Sequence, residues 1–250
     1  MLCRLVKKQK LTDTLYDYTV ECPEMAAKAK AGQFLHILCG GEAYLRRPIS
    51  ICDVIEGKYL RFIFEVRGTG TDELSKRAVG DDIDILGPLG NGFDVHADDE
   101  DAVLVVGGGI GVFPLLNLAR KLDGRATMLL GFRNKEAVVM TDEFECICKD
   151  MFVATDDGSC GYHGFVTDIL KKILESNKVS RIYTCGPTPM MKLVSSIAME
   201  YSVPVQVSLE ERMGCGVGAC VTCTCTVAGA RKRVCKDGPV FNGAEVEWNG

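Results

Sequence analysis

Histidine is nearly absent from this 250-residue chain. His36, His96 and His163 are the only three, and they offer no acid–base dyad. Proton-transfer chemistry built on a paired imidazole is therefore not expected. A basic excess is missing too: 29 Lys and Arg stand against 34 Asp and Glu, a formal charge of −5 that argues against a nucleic-acid surface. The short runs Lys7-Lys8 and Arg231-Lys232-Arg233 read as solvated faces, the second alternatively as a surface for an acidic partner. The stretch Met1-Leu2-Cys3-Arg4-Leu5-Val6-Lys7 has neither the apolar segment nor the cleavage site of a secretory leader. Residues Ala102 to Ala119 carry no charge, but Gly107-Gly108-Gly109, Gly111, Pro114 and Asn117 interrupt them, so they read as strand, loop and helix rather than a membrane span. The expectation is a cytoplasmic protein in a reducing compartment, where disulfides are rare.

Cysteine, by contrast, is abundant, with 13 copies. Four are organised. Cys215, Cys220 and Cys223 follow C-x4-C-x2-C, and Cys235 comes after eleven intervening residues. This is the plant-type ligand spacing for a [2Fe–2S] cluster. The cluster needs four deprotonated thiolates converging on one place, and Gly214, Gly216 and Gly218 let the backbone curl and aim N–H groups at sulfur. A zinc site would usually pair two C-x2–4-C knuckles, and Cys223-x-Cys225 makes a poor second one. A thioredoxin-like Cys220/Cys223 pair would open a helix, whereas Val221-Thr222 lie in a β-prone run. For the fourth ligand Cys235 is favoured, with Cys225 as the rival. A hairpin of Thr224–Ala230 and Arg231–Cys235 would bring Cys235 back over the loop.

Three domains are expected: 1–96, 97–208 and 209–250. The first reads as an antiparallel β barrel, from β-branched runs at Leu15–Val20, Phe34–Leu38, Pro48–Ile51, Tyr59–Val66 and Asp82–Ile85 separated by glycines. A short helix is expected over Asp72–Arg77. The acidic run Asp98-Asp99-Glu100-Asp101 reads as a linker. After it the pattern changes to strand Ala102–Val106, helix Val112–Leu122, strand Ala126–Phe132, strand Met151–Thr155, helix Val166–Ser176, strand Arg181–Cys185, helix Thr188–Tyr201 and strand Val205–Val207. Such alternation gives a doubly wound parallel sheet. The remainder is the small cluster domain.

Two motif pairs point to nucleotides. In the barrel, Arg47-Pro48-Ile49-Ser50 supplies a forked donor suited to a diphosphate, and Gly68-Thr69-Gly70-Thr71 supplies a turn with free N–H groups. In the sheet, Gly107-Gly108-Gly109-Ile110-Gly111 sits between strand and helix, the context of a phosphate-binding turn, and Cys185-Gly186-Pro187 closes a later strand. No acidic residue ends the second strand of the sheet, and Arg133 in Gly131-Phe132-Arg133-Asn134 would tolerate a 2′-phosphate, so NAD and NADP both stay open.

With these motifs in this order, the chain resembles the ferredoxin–NADP reductase superfamily, and within it the electron-transfer subunits of dihydroorotate dehydrogenase B, whose [2Fe–2S] loop is likewise C-terminal. The resemblance is most specific over Leu209–Cys220. It implies FAD, one [2Fe–2S] cluster, NAD as external acceptor, and an FMN-containing dihydroorotate-oxidising catalytic partner in a heterotetramer of two of each. It further implies that Arg47, Pro48, Ile49 and Ser50 lie against FAD, with Ser50 near the reactive edge. Ile63, Phe64 and Glu65 would line the flavin, Gly70 and Thr71 would hold the pyrophosphate, and Cys185 would stand near the nicotinamide. The chemistry is coherent: nicotinamide moves two electrons together, a cluster moves one, and a flavin converts between them. Another enzyme of this architecture, the NAD-linked subunit of a ferredoxin-dependent transhydrogenase or of a sulfhydrogenase, is the nearest alternative. A non-catalytic module with structural zinc is a more distant one.

Overall fold

The computed structural model describes residues 1–41, 43–95 and 102–248. His96, the Asp98–Asp101 run and the expected 96/97 boundary lie outside the described residues. The chain divides into two compact units. One comprises Met1–Gly92, Glu210–Cys225 and Arg231–Pro239, the other Phe93–Leu209, Thr226–Ala230 and Val240–Gly250.

The first unit is built on a closed six-stranded barrel of β1 (Leu2–Lys10), β2 (Leu15–Glu21), β3 (Phe34–Leu38), β4 (Arg47–Ile55), β5 (Tyr59–Glu65) and β6 (Asp82–Leu89), ordered β1-β2-β5-β4-β3-β6. All its pairings are antiparallel. Closure leaves no unpaired edge to attract another strand. Inward residues form one apolar core that includes Leu5, Tyr18, Leu35, Ile37, Ile51, Phe62, Leu74 and Ile85. Strand β1 gave little sequence signal because only Cys3 and Leu5 of its nine residues are buried. Helix α1 (Pro23–Ala26) is a single turn.

Helix α2 (Thr69–Ser75) carries Gly70 and Thr71 and is too short to be stable alone. The barrel holds it. Leu74 is fully buried, and the Tyr18 hydroxyl donates to the Leu74 carbonyl at 2.8 Å. Lys8 Nζ donates to the Ser75 and Arg77 carbonyls, each at 2.8 Å, meeting acceptors the helix end would leave orphaned. Lys8 is thus a helix anchor rather than a solvated charge.

The second unit is a seven-stranded sheet of β7 (Ala102–Gly108), β8 (Ala126–Phe132), β9 (Asp150–Thr155), β10 (Tyr162–His163), β11 (Val179–Cys185), β12 (Val205–Ser208) and β15 (Val240–Asn242) in the order β10-β9-β8-β7-β11-β12-β15. It is parallel throughout except for β15, which adds antiparallel to the edge at β12. Helices α5 (Val166–Ser176) and α6 (Thr188–Glu200) pack on Leu104, Val106, Leu129, Ile182, Val205 and Val207, alternate positions that define one face. Residues of the opposite parity, such as Val103, Val105, Met128 and Leu130, are equally buried, so both faces are covered. The expected helix at Val112 is delayed: a 3₁₀ turn (Gly109–Val112) precedes α3 (Leu115–Lys121), because Pro114 has no N–H and favours the helix entrance. Helix α4 (Thr141–Glu145) leads into β9, and β13 (Thr224–Val227) and β14 (Ala230–Arg233) form the expected C-terminal hairpin. Among the described residues no helix is long and apolar enough to cross a membrane.

Candidate redox site

In the barrel unit the two diphosphate motifs meet. A Cβ placed on Gly70 would fall 2.9 Å from Arg47 Nε and 3.0 Å from its Cζ and Nη2. The guanidinium therefore lies on Gly70, and a side chain there would displace it. Arg47 Nη1 donates to the Leu45 carbonyl at 2.6 Å, which aims the fork along the loop. Arg47, Pro48, Ile49 and Ser50 pair in register with Ile37, His36, Leu35 and Phe34. Thr71 Oγ1 accepts from Arg67 N–H at 2.9 Å and donates to the Gly68 carbonyl at 3.1 Å, closing the turn. Ile63 and Phe64 are buried, the Phe64 ring in the barrel core edge-on to Tyr18, while Glu65 is partly exposed and ion-paired with Arg67. A cradle bounded by a cationic fork and a glycine fits a dinucleotide diphosphate.

In the sheet unit the strand order reverses between β7 and β11, the topological switch point at which open α/β sheets bind ligands. The turns after these two strands touch. A Cβ on Gly111 would lie 2.5 Å from Gly186 Cα, and one on Gly108 would lie 2.9 Å from Pro187 Cδ. Gly107–Gly111 and Cys185-Gly186-Pro187 thus form one surface at the carboxyl edge of the sheet, with Cys185 half-buried in it. Gly109 (φ 53°) and Gly186 (φ 157°) take backbone angles that side chains disfavour. Along the same edge, Asp156 N–H donates to the Phe132 carbonyl at 3.1 Å and Lys135 N–H to Ser159 Oγ at 2.7 Å. The acidic turn Asp156-Asp157 is thereby stitched to the loop that carries Arg133, a neighbourhood invisible in the sequence.

The four expected thiols fall into two pairs within the barrel unit. Cys215 Sγ accepts N–H groups from Ala219 (3.2 Å) and Cys220 (3.4 Å). Cys223 Sγ accepts from Cys235 N–H at 3.4 Å, and the Val234 N–H bonds the Cys223 carbonyl at 2.9 Å. It is Cys235 that is brought against Cys223; Cys225 lies two residues along β13, half-buried. Thr222, expected with Val221 in a β-prone run, instead lies in a turn before β13 and donates from Oγ1 to Cys220 Sγ at 3.2 Å. That bond, followed by backbone donors, pulls the Cys220 thiol down to about 6. Backbone N–H groups, first that of Cys220, likewise lower Cys215. Burial leads the opposite shift at Cys235, which is pushed up to about 12.

Two thiol pairs, with N–H and hydroxyl donors aimed at sulfur, fit the two bridged irons of a [2Fe–2S] cluster. Gly216 (φ 71°), Gly218 (φ 84°) and Val221 (φ 51°) supply the reversals that turn the loop.

Comparison with known proteins agrees with this geometry. Residues 210–247 match the iron-sulfur cluster binding domain of dihydroorotate dehydrogenase B, and residues 105–196 match the oxidoreductase NAD-binding domain. The electron transfer subunit of dihydroorotate dehydrogenase B (NAD(+)) from Caldanaerobacter subterraneus subsp. tengcongensis is 39% identical over 251 residues, covering 98% of each chain. The chain belongs to the family of dihydroorotate dehydrogenase B electron transfer subunits. It is an oxidoreductase subunit, and the subunit character of the family implies a catalytic partner. Among solved structures, the NADH-dependent reduced ferredoxin-NADP oxidoreductase is 37% identical, with a TM-score of 0.89 over 99% of this chain and 90% of that one. A ferredoxin NADP+ reductase from Neisseria gonorrhoeae, solved with FAD and NADP, shares the fold at 18% identity, with a TM-score of 0.66 over 80% of this chain and 91% of that one.

Proposed function

We propose that this chain relays electrons from an FMN-containing, dihydroorotate-oxidising subunit to NAD+, in a cytoplasmic heterotetramer of two subunits of each kind. The chain would be organised as a flavin barrel (1–96), a nicotinamide domain (97–208) and a cluster segment (209–250). The observation that carries the reading is that the Arg47–Gly70 cradle and both thiol pairs belong to one compact unit.

When bound, FAD exchanges a hydride with nicotinamide and single electrons with the [2Fe–2S] cluster. Arg47 grips the flavin diphosphate, and Gly70 and Thr71 shape the turn beneath it. Pro48, Ile49 and Ser50 would present strand β4 to the isoalloxazine, with Ser50 near its reactive edge and Ile63, the Phe64 backbone and Glu65 forming the wall from β5. Gly107, Gly108, Gly109 and Gly111 let the dinucleotide approach the backbone, while Cys185, Gly186 and Pro187 orient the nicotinamide. Asp156 and Asp157 support NAD over NADP, since carboxylates near a ribose repel a 2′-phosphate. Cys215, Cys220, Cys223 and Cys235 hold the irons, and the N–H groups around their sulfurs stabilise the added charge on reduction. Val217 and Val221 on the ligand loop are 50% and 58% exposed, apolar surface of the kind a partner covers.

The test is dihydroorotate-dependent NAD+ reduction by the reconstituted complex. Cys220→Ser should abolish it, while NADH oxidation by an acceptor drawing directly on FAD survives. Loss of both in a folded, FAD-loaded variant would refute this electron order. The likeness to NADH-dependent reduced ferredoxin-NADP oxidoreductase favours a second reading, in which the partner couples to ferredoxin. Activity with reduced ferredoxin and none with dihydroorotate would establish that reading instead.

A further inference from the structure

One buried side chain in the barrel unit lies between the flavin strand and the cluster loop and has no assigned task. His36 sits on β3 directly opposite Pro48 of the Arg47–Ser50 segment. It is 1% exposed, and neither ring nitrogen makes a well-formed hydrogen bond, although the Arg46 and Cys215 backbones lie close enough to act on it. A buried donor left unmatched forfeits its hydration for nothing, so its persistence calls for a partner. The ring faces the ligand loop, because a Cβ on Gly216 would fall 2.5 Å from His36 Nδ1. A neutral imidazole carries one N–H and one acceptor nitrogen.

The strand around it is pinned. Arg46 donates to the His36 carbonyl at 3.4 Å, to the Asp84 carbonyl at 3.0 Å and to Asp84 Oδ2 at 2.7 Å. The ring is therefore a fixed donor on the wall shared with the flavin strand, not a side chain free to follow the loop.

We infer that His36 is a positioning residue for electron transfer, its ring N–H held for the Cys215–Gly216 stretch of the metal-loaded loop. It fixes the first ligand relative to strand β4 and stabilises the charge the cluster gains on reduction. This rests on the flavin and cluster assignment above.

The test uses the full chain loaded with FAD and cluster, titrated electrochemically while the cluster is followed by electron paramagnetic resonance. His36→Leu should make cluster reduction about tenfold less favourable, a fall in midpoint potential of about 59 mV for one electron. It should also shift the cluster spectrum and slow cluster bleaching by NADH about tenfold, with flavin reduction changed less than twofold. His36→Asn, whose amide puts a donor near the Nδ1 position, should restore potential and spectrum; His36→Gln, reaching toward Nε2, should not. Wild-type behaviour in all three variants would overturn the inference, as would equal losses in Asn and Gln. If His36→Leu does not load, the Asn and Gln pair decides alone. Loss of the cluster from all three with FAD retained makes His36 a packing residue and overturns the inference as well. A wild-type chain unable to hold flavin or iron would instead overturn the functional reading, and this inference with it.

Discussion

Gly70→Ala should separate folding from cofactor binding. The new methyl would enter space 2.9–3.0 Å from the Arg47 guanidinium, with no backbone atom among its nearest neighbours. An obstacle at the tip of a long side chain moves easily. Gly70 lies within α2 and is not among the positive-φ residues, so alanine fits its backbone. Helix propensity then favours the variant by about 0.8–1.0 kcal/mol, and the apoprotein should be as stable as the wild type or slightly more so. The flavin site should suffer. A swung Arg47 gives up a charge-assisted contact to the diphosphate worth about 1.5–3 kcal/mol, which raises the Kd for FAD about 10- to 150-fold. The assay is fluorescence titration of deflavinated protein with FAD, beside urea denaturation of the same samples. An unchanged Kd would refute the cradle; a large loss of apoprotein stability would refute the idea that only the fork yields. Arg47→Ala should weaken FAD by a similar factor, and the double variant should add little, since both changes remove one contact.

Three further outcomes follow from the geometry. Asp17 is 3% exposed by its side chain and holds Arg61 at 2.7–3.0 Å. Asp17→Ala should lower stability by about 1.5–3 kcal/mol in urea, because a largely buried guanidinium loses its charge-assisted bonds to that carboxylate, and a loss under 1 kcal/mol would contradict that. The Arg46 hydrogen bond holds the Asp84 carboxyl below its ordinary value of 3.8. Its contribution is therefore complete above that value and fades as pH falls through the lowered one. Melting temperatures should show Asp84→Asn weaker than wild type at pH 7 and converging with it in stronger acid; a constant gap would count against the pairing. Gly111→Ala, whose methyl would meet the Gly186 backbone at 2.5–2.6 Å and the Cys185 carbonyl oxygen at 2.7 Å, should cost about 1–3 kcal/mol and raise the KM for NADH, whereas unchanged kinetics would place the nucleotide elsewhere.

The legibility of this chain in its sequence follows the range of the interactions. Strands Phe34–Leu38 and Ala126–Phe132 and helix Val166–Ser176 were readable to the residue, because local periodicity and apolar runs define them. Strand β1 was not, since its second half is lysine-rich and its partners lie in β2 and β6. The helix after the glycine turn was placed too early because Pro114 carried less weight than the apolar run around it. Strand β15 was missed because three residues carry no period, and it exists only as an addition to the β12 edge.

The four cysteines proposed as cluster ligands stand out in the sequence for a different reason. Iron and sulfide constrain ligand spacing within a few residues, so C-x4-C-x2-C survives as a written pattern. What holds that loop in place leaves no such trace. Residues 210–225 and 231–239 group with the barrel, too short a segment to bury a core of its own. Its shape is borrowed from strands nearly two hundred residues earlier in the chain, through contacts such as the one between His36 and Gly216. A lone histidine in Phe34–Leu38 reads as one polar residue inside a strand. Its meaning depends on Gly216 having no side chain, and on the neighbouring Arg46 being held by Asp84. Local chemistry thus writes the cysteine spacing into the chain, while what the loop rests against is set by a fold that only three-dimensional structure reveals.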